Sequence, residues 1–288
     1  MDNMTALVSC FARAYHYKTN EGPVFADSVA GKLLTAEEYD TISRNMTQGI
    51  RYFAPEFRGT PEEALRFIVN HQLAPSVLAR SAFCERAIGN AVRLGCRQIV
   101  IYACGYDTFS LRTNNQALTV YELDRPEMIA DRRKRIARAG LEPVCHADSI
   151  GCDLPKSSWK EKLIQAGFDA KKTSFGTLLG ISYYLSKRDF KNLVAAIASI
   201  SCEGSSVCFD YPVSEAGEES QRNRELAAAA GEMMKAKYSY EEMETLLSNA
   251  GFLIYEHMDA GEATDAFLKE SDMTAPAGVG YCLAVRKG

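Results

Sequence analysis

The chain has no CxxC pair, no 18-residue apolar run and no long basic block. Each absence removes a class of function. Nine cysteines, an odd number, without zinc-like spacing argue against a disulfide framework or a structural metal. Several, among them Cys10, Cys104, Cys208 and Cys282, sit in apolar runs and read as free thiols packed as small hydrophobes, which suits a reducing, cytoplasmic setting. The cluster Cys145-His146, Cys152, Asp153 fits no zinc pattern, so no metal is expected. Without a long apolar run no membrane-spanning helix is expected, and Asp2 together with Arg13 inside the first apolar run makes a poor signal peptide. The single basic run, DRRKRIARAG (131–140), reads as a helix with Arg132, Lys134 and Arg135 on a solvated face, and no nucleic-acid partner is expected.

What is present divides at Gly95. Residues 1–95 read as helices. Leu7, Phe11 and Ala14 stand near helical spacing, Thr35 with Glu38 forms a capping-box pattern, and Thr60-Pro61 reads as an N-cap followed by a first-turn proline. A helix from about Pro75 to Leu94 stops at Gly95. Beyond it, apolar β-rich runs alternate with helical stretches. Strands are expected at 98–103, 118–123, 142–146, 175–181, 205–211, 252–257 and 279–286, with helices at about 126–139, 158–166, 187–199 and 240–250. This alternation predicts an α/β fold, a doubly wound, mostly parallel seven-stranded sheet. The last two strands, joined by a loop-like 259–277, are expected to form an antiparallel hairpin. Residues 1–95 would form a helical cap on a core at 96–288, and 213–237 a helical lid inserted after the fifth strand.

The first strand of the alternating region runs into a turn, QIVIYACGYDTFSLR (98–112), that carries Gly105 alone where a dinucleotide-binding turn carries three glycines. The second strand ends at Asp124, 19 residues after Gly105. In open α/β sheets ligands bind at such strand ends, and a carboxylate at this distance suits the two hydroxyls of a ribose. The missing glycines disfavour a pyrophosphate and leave room for a nucleoside without phosphates. S-adenosylmethionine is such a ligand.

Five segments, in order, resemble the leucine carboxyl methyltransferase-like family of S-adenosylmethionine-dependent methyltransferases, in particular its bacterial small-molecule branch. They are TALVSCFARAYHYKTNEGPVFADSVA with LARSAFCERAI, then RQIVIYACGYDTFSLR, VYELDRPEMIADRRKRI, CDLPKSSWKEKLIQAGFD and TLLGISYYLSKRDFKNLVAAIA. The resemblance implies a Rossmann-like class I methyltransferase core. It implies that Arg80 binds the cofactor's methionine carboxylate, that the turn Ala103–Gly105 passes beneath the methionine, and that Asp124 holds the ribose. Asp153 and the backbone at Leu154 would meet the adenine edge. Two departures stand out. Ala103 replaces the family's first turn glycine, and Leu179 replaces a glutamate of the eukaryotic enzymes, which argues against a phosphatase C-terminus as substrate.

The expected activity is methyl transfer to an oxygen, carboxylate or hydroxyl, of a small organic molecule. Candidate catalytic groups are Tyr183, Tyr211, His16 and Arg13, with Tyr184 and Asp210 also near the strand tips, and none is singled out as a base. If the strand continued, Tyr183 and Tyr184 would point to opposite faces. The alternatives are an NAD-dependent oxidoreductase and a catalytically silent S-adenosylmethionine-binding protein.

Overall fold

The computed structural model describes residues 3–156, 158–214 and 235–288. Of the lid expected over 213–237, residues 215–234 lie outside the described residues. Seven strands form one sheet: β1 (Gln98–Tyr102), β2 (Thr119–Asp124), β3 (His146–Gly151), β4 (Ser174–Leu178), β5 (Ser206–Pro212), β6 (Phe252–Met258) and β7 (Val279–Arg286). Their order is β3-β2-β1-β4-β5-β7-β6. The pairings among β1–β5 are parallel, whereas β7 runs antiparallel to both β5 and β6. The chain therefore reverses its direction of strand addition between β1 and β4, where such folds bind their ligands.

The sheet is covered on both faces, and alternation along each strand shows how. In β1, Ile99 and Ile101 enter one buried cluster and Val100 and Tyr102 the other. The first face packs against α1 (Met4–Thr19), α2 (Ala30–Leu33), α3 (Ala36–Gln48), α6 (Ala74–Arg93) and α8 (Pro126–Arg138). The short α4 (Ile50–Phe53) leads to α5 (Pro61–Ile68), which joins α6 through a π-helical turn, and α7 (Phe109–Arg112) follows the β1 turn. The second face packs against α9 (Trp159–Gln165), α10 (Lys187–Ala198) and α11 (Tyr240–Asn249). Both N-terminal cap signals form as expected. Thr35 and Glu38 make a reciprocal capping box, and so do Thr60 and Glu63 with Pro61 in the first turn. Gly95, at φ +100°, follows the end of α6.

Several expectations need correction. The β3 strand lies at His146–Gly151, not 142–146. The apolar pair Val144-Cys145 suggested the earlier span, but the Val144 N–H donates to Ser110 O, outside the sheet, at 2.9 Å. The edge strand itself is half polar, with His146, Asp148 and Ser149 among its six residues. β4 stops at Leu178 because Gly180, at φ +68°, turns the chain; Tyr183 and Tyr184 follow in a single 3-10 turn. β7 does pair with β6, but it inserts between β6 and β5, and the connection holds a helical turn, α12 (Ala260–Ala263), and a π turn rather than a plain loop.

The basic run is not a solvated face. Arg132 is fully buried against Glu122, and Arg135 is buried between Glu38 and Asp131; only Lys134 of the three stays exposed. These arginines are used inside the fold. Nor is α1 merely laid on the surface: Cys10 and Phe11 are completely buried in the cluster that also holds Ile99 and Ile101. Among the described residues no helix is long and apolar enough to cross a membrane.

Candidate functional site

The site assembles at the carboxyl ends of β1, β2, β4 and β5. The β1 turn carries two exceptions to ordinary backbone geometry, on either side of Cys104. Ala103 has φ +53° and Gly105 φ +48°. A left-handed alanine costs roughly 1–2 kcal/mol, so Ala103 holds a glycine-like conformation under strain. Gly105 N–H donates to Asp124 Oδ2 at 2.8 Å, and Arg125 N–H to Asp124 Oδ1 at 2.7 Å. The carboxylate thus closes the β1 turn onto the β2 tip. Two of its roughly four lone-pair positions are used, and two remain for hydroxyl donors. Burial pushes the Asp124 pKa above the ordinary value, against the pull of those two N–H groups.

Behind this turn lies a layer of buried charge. Arg132 pairs with Glu122 at 2.5 Å and also donates to Asp107 O in the turn. Ser110 and Ser149 complete the bonding of Glu122. Burial opposes ionisation of Glu122, but Arg132 and the two serines together hold its pKa below normal. Arg13, from α1, donates to Asp27 at 2.8 Å and to Tyr106 O at 2.7 Å, so the N-terminal helix grips the turn. Asp27 is completely buried; burial works against its charge, yet Arg13, Arg112 and Thr108 keep its pKa low.

Arg80 of α6 comes to the tips of β4 and β5. Its guanidinium lies on the bare Cα of Gly180, where a Cβ would stand 2.7 Å from Nη1. Nη1 is 3.5 Å from Asp210 Oδ2 and Nη2 is 3.3 Å from Ser9 Oγ. Both contacts are long, so the fork retains capacity for a carboxylate. Asp210 also accepts the Gly180 N–H at 2.7 Å and the Tyr183 hydroxyl at 2.9 Å.

The remaining candidates fall elsewhere. Asp153 is half-exposed after β3 and pairs with Lys156 at 2.8 Å, while its neighbour Leu154 is buried in the second cluster. Tyr211 points to the opposite face from Asp210 and meets His257 Nε2 at 2.9 Å. His16 accepts the Val24 N–H at Nε2, 2.9 Å, and burial lowers its pKa, so it serves as a neutral tie within the N-terminal segment. Arg13 lies at the site's edge but is spent on Asp27 and the turn.

The leucine carboxyl methyltransferase family profile matches residues 6–198, two thirds of the chain. The chain belongs to the leucine carboxyl methyltransferase family. A Bacillus subtilis (strain 168) protein, named "Putative S-adenosyl-L-methionine-dependent methyltransferase YktD", is 33% identical over 99% of this chain and 98% of its own. Among solved structures, a DUF574 family protein from Streptomyces avermitilis superposes with TM-score 0.56 at 17% identity, covering 83% of this chain and 96% of its own. Magnesium protoporphyrin IX methyltransferase from Synechocystis PCC 6803, with bound S-adenosylhomocysteine, gives 0.50 at 11% identity, covering 86% and 97%. At these identities the structural likenesses speak for the fold, which is that of class I methyltransferases. This leucine carboxyl methyltransferase family member is an S-adenosylmethionine-dependent methyltransferase.

The residues fit that cofactor chemically. A carboxylate with spare acceptor positions stands at one end of the tips and a loosely held guanidinium at the other, with a tight turn between them. Sequence reasoning put Asp210 near the strand tips without a defined role, and did not reach Gly180, Ser9 or Tyr281. An aspartate closing the apolar run SSVCFDY was a usable signal for Asp210. Tyr281 had none, since its place depends on the insertion of β7.

Proposed function

We propose that the enzyme transfers the methyl group of S-adenosylmethionine to an oxygen of a small organic acceptor. The observation that carries the reading is the position of α1. Ala6 lies where a Cβ on Gly105 would touch it at 3.4 Å, Ser9 bonds Arg80, and Asn3 bonds Arg125. The tips of β1, β2 and β4 are thus roofed by one helix, and an acceptor must fit beneath or beside it, which suits a small molecule rather than a folded macromolecule.

In this reading Arg80 binds the methionine carboxylate, Ala103–Gly105 supports the methionine, Asp124 accepts from the ribose hydroxyls, and Asp153 with Leu154 borders the adenine. The bound cofactor supplies an already activated sulfonium methyl, so the protein's share is to position the acceptor and exclude water. Placing the acceptor oxygen in line with the methyl is the work of the cap and of the β4–β5 tips. The single-glycine turn, with Ala103 at its head, does not favour a nicotinamide dinucleotide. Calorimetry is expected to show binding of S-adenosylhomocysteine and none of NAD. Release of S-adenosylhomocysteine on adding a panel of phenols, alcohols and carboxylic acids then distinguishes the enzyme from a silent binder. Tight NAD binding would overturn the reading.

A further inference from the structure

The β5–β7 pair carries polar groups that cofactor binding leaves over. Asp210 is completely buried and receives Gly180 N–H, the Tyr183 hydroxyl and the edge of Arg80. Tyr281 stands directly opposite Asp210 in the antiparallel register, so the two side chains share a face. Its ring lies against Phe83 of α6, with centroids 6.1 Å apart. Tyr281 is 1% exposed, yet among the described residues its hydroxyl has no hydrogen-bond partner. It is close enough to Asp210, Arg80 and Tyr183 to exchange electrostatic influence with all three. A buried phenol without a partner is uncommon and asks for an explanation.

The donors and acceptors at this corner can be counted. Arg80 is held by Asp210 and Ser9, and the Tyr281 hydroxyl is the buried side-chain donor of this cluster without a hydrogen-bond partner among the described residues. Tyr183 already gives its proton to Asp210, so its oxygen is left as an acceptor. A hydroxyl needs one of each and fits. A carboxylate only accepts; it could take the Tyr281 proton but would leave the Tyr183 oxygen without a donor and lie beside the Asp210 carboxylate.

We propose that Tyr281 orients the methyl acceptor and that the acceptor presents a neutral hydroxyl, whose proton passes through Tyr183 to Asp210. This rests on the function proposed above and narrows it from oxygen acceptors in general to hydroxyls. In the step, the acceptor's O–H bond breaks as its oxygen forms a bond to the methyl carbon. The methyl–sulfur bond breaks and its electron pair stays on sulfur, leaving a neutral thioether. Tyr183 takes the released proton while giving its own to the Asp210 carboxylate. Burial and the neighbouring Asp210 raise the Tyr183 pKa well above normal, so Tyr183 is protonated before and after the step and acts as a conduit.

Phenol and benzoate share a ring and differ in this one group, so they are the probes. Each is titrated into the protein saturated with S-adenosylhomocysteine. Phenol is expected to bind more tightly than benzoate, and Tyr281→Phe to weaken phenol at least tenfold. Tyr281→Phe should also raise the melting temperature of the ligand-free protein, because it deletes an unpartnered buried hydroxyl. With S-adenosylmethionine and phenol, Asp210→Asn should slow release of S-adenosylhomocysteine about a hundredfold. The proposal is overturned if benzoate binds better, or if Tyr281→Phe binds phenol like the wild type, undetectable binding included. Wild-type protein that binds phenol but never turns it over contradicts the proton route. If S-adenosylhomocysteine itself does not bind, it is the earlier reading of the cofactor end that fails.

Discussion

The tips of β1 and β2 and the tips of β5 and β7 sit on one sheet but are built in opposite ways. At the first, parallel strands close in sequence meet through a backbone N–H and a carboxylate 19 residues apart, and a fully bonded ion pair, Glu122–Arg132, backs the turn. At the second, side chains converge from far apart: Arg80 and Asp210 are separated by 130 residues, and Tyr281 arrives on an antiparallel strand inserted late in the chain. The first end is locally determined and its ion pair is fully bonded, while Asp124 keeps two acceptor positions. The second keeps a loosely held guanidinium and an unpartnered phenol. The carboxylate and the guanidinium suit the two ends of the cofactor, and the phenol is left for the partner that completes it.

The comparison breaks most severely at the buried charge behind the first end. Arg132→Leu strands Glu122 without its cation and should cost about 3–5 kcal/mol in denaturant unfolding. Glu122→Gln combined with Arg132→Leu should recover part of that loss. An additive double mutant would mean that the pair is not coupled.

Next in size are the two contacts expected to hold the cofactor. Asp124→Ala and Arg80→Ala each remove a charge-assisted bond of about 1.5–3 kcal/mol, a ten- to hundredfold loss of S-adenosylhomocysteine affinity by calorimetry. Asp124→Asn, which keeps a carbonyl oxygen for Gly105, should fall between the wild type and Asp124→Ala.

A smaller effect appears in acid. Hydrogen bonding from Arg135 brings the Glu38 pKa from 4.5 down to about 2. A carboxyl with a lowered folded value contributes stability that is complete above pH 4.5 and is lost as pH falls through about 2. Arg135 also lies over the Tyr106 ring of the β1 turn, so this acid-sensitive tie joins α3 to the cofactor end. Melting temperatures measured from pH 5 downward should fall less steeply for Glu38→Gln than for the wild type; parallel curves would remove Glu38 from the account.

How much of this was legible follows the same division. The β1 strand, its turn, Asp124 and the helix carrying Arg80 could be read because apolar alternation, one glycine and a fixed spacing are local signals. The two capping boxes were legible for the same reason. β3 was displaced because a half-polar edge strand carries little pattern and a nearby apolar pair carries more. Arg132 and Arg135 looked solvent-facing because their burial depends on Glu122 and Glu38, residues of other elements that only the fold brings near. Tyr281 could not be found at all, since its neighbours depend on where β7 enters the sheet.

The most direct measurement is a calorimetric titration of S-adenosylhomocysteine into wild type, Asp124→Ala and Tyr281→Phe side by side. If Tyr281 serves the acceptor and not the cofactor, Asp124→Ala weakens binding about ten- to hundredfold and Tyr281→Phe leaves it within about twofold, well inside the roughly 1.4 kcal/mol that a tenfold change represents. Unchanged affinity in Asp124→Ala, with a tenfold or greater loss in Tyr281→Phe, would make Tyr281 rather than Asp124 the cofactor's contact and contradict the account.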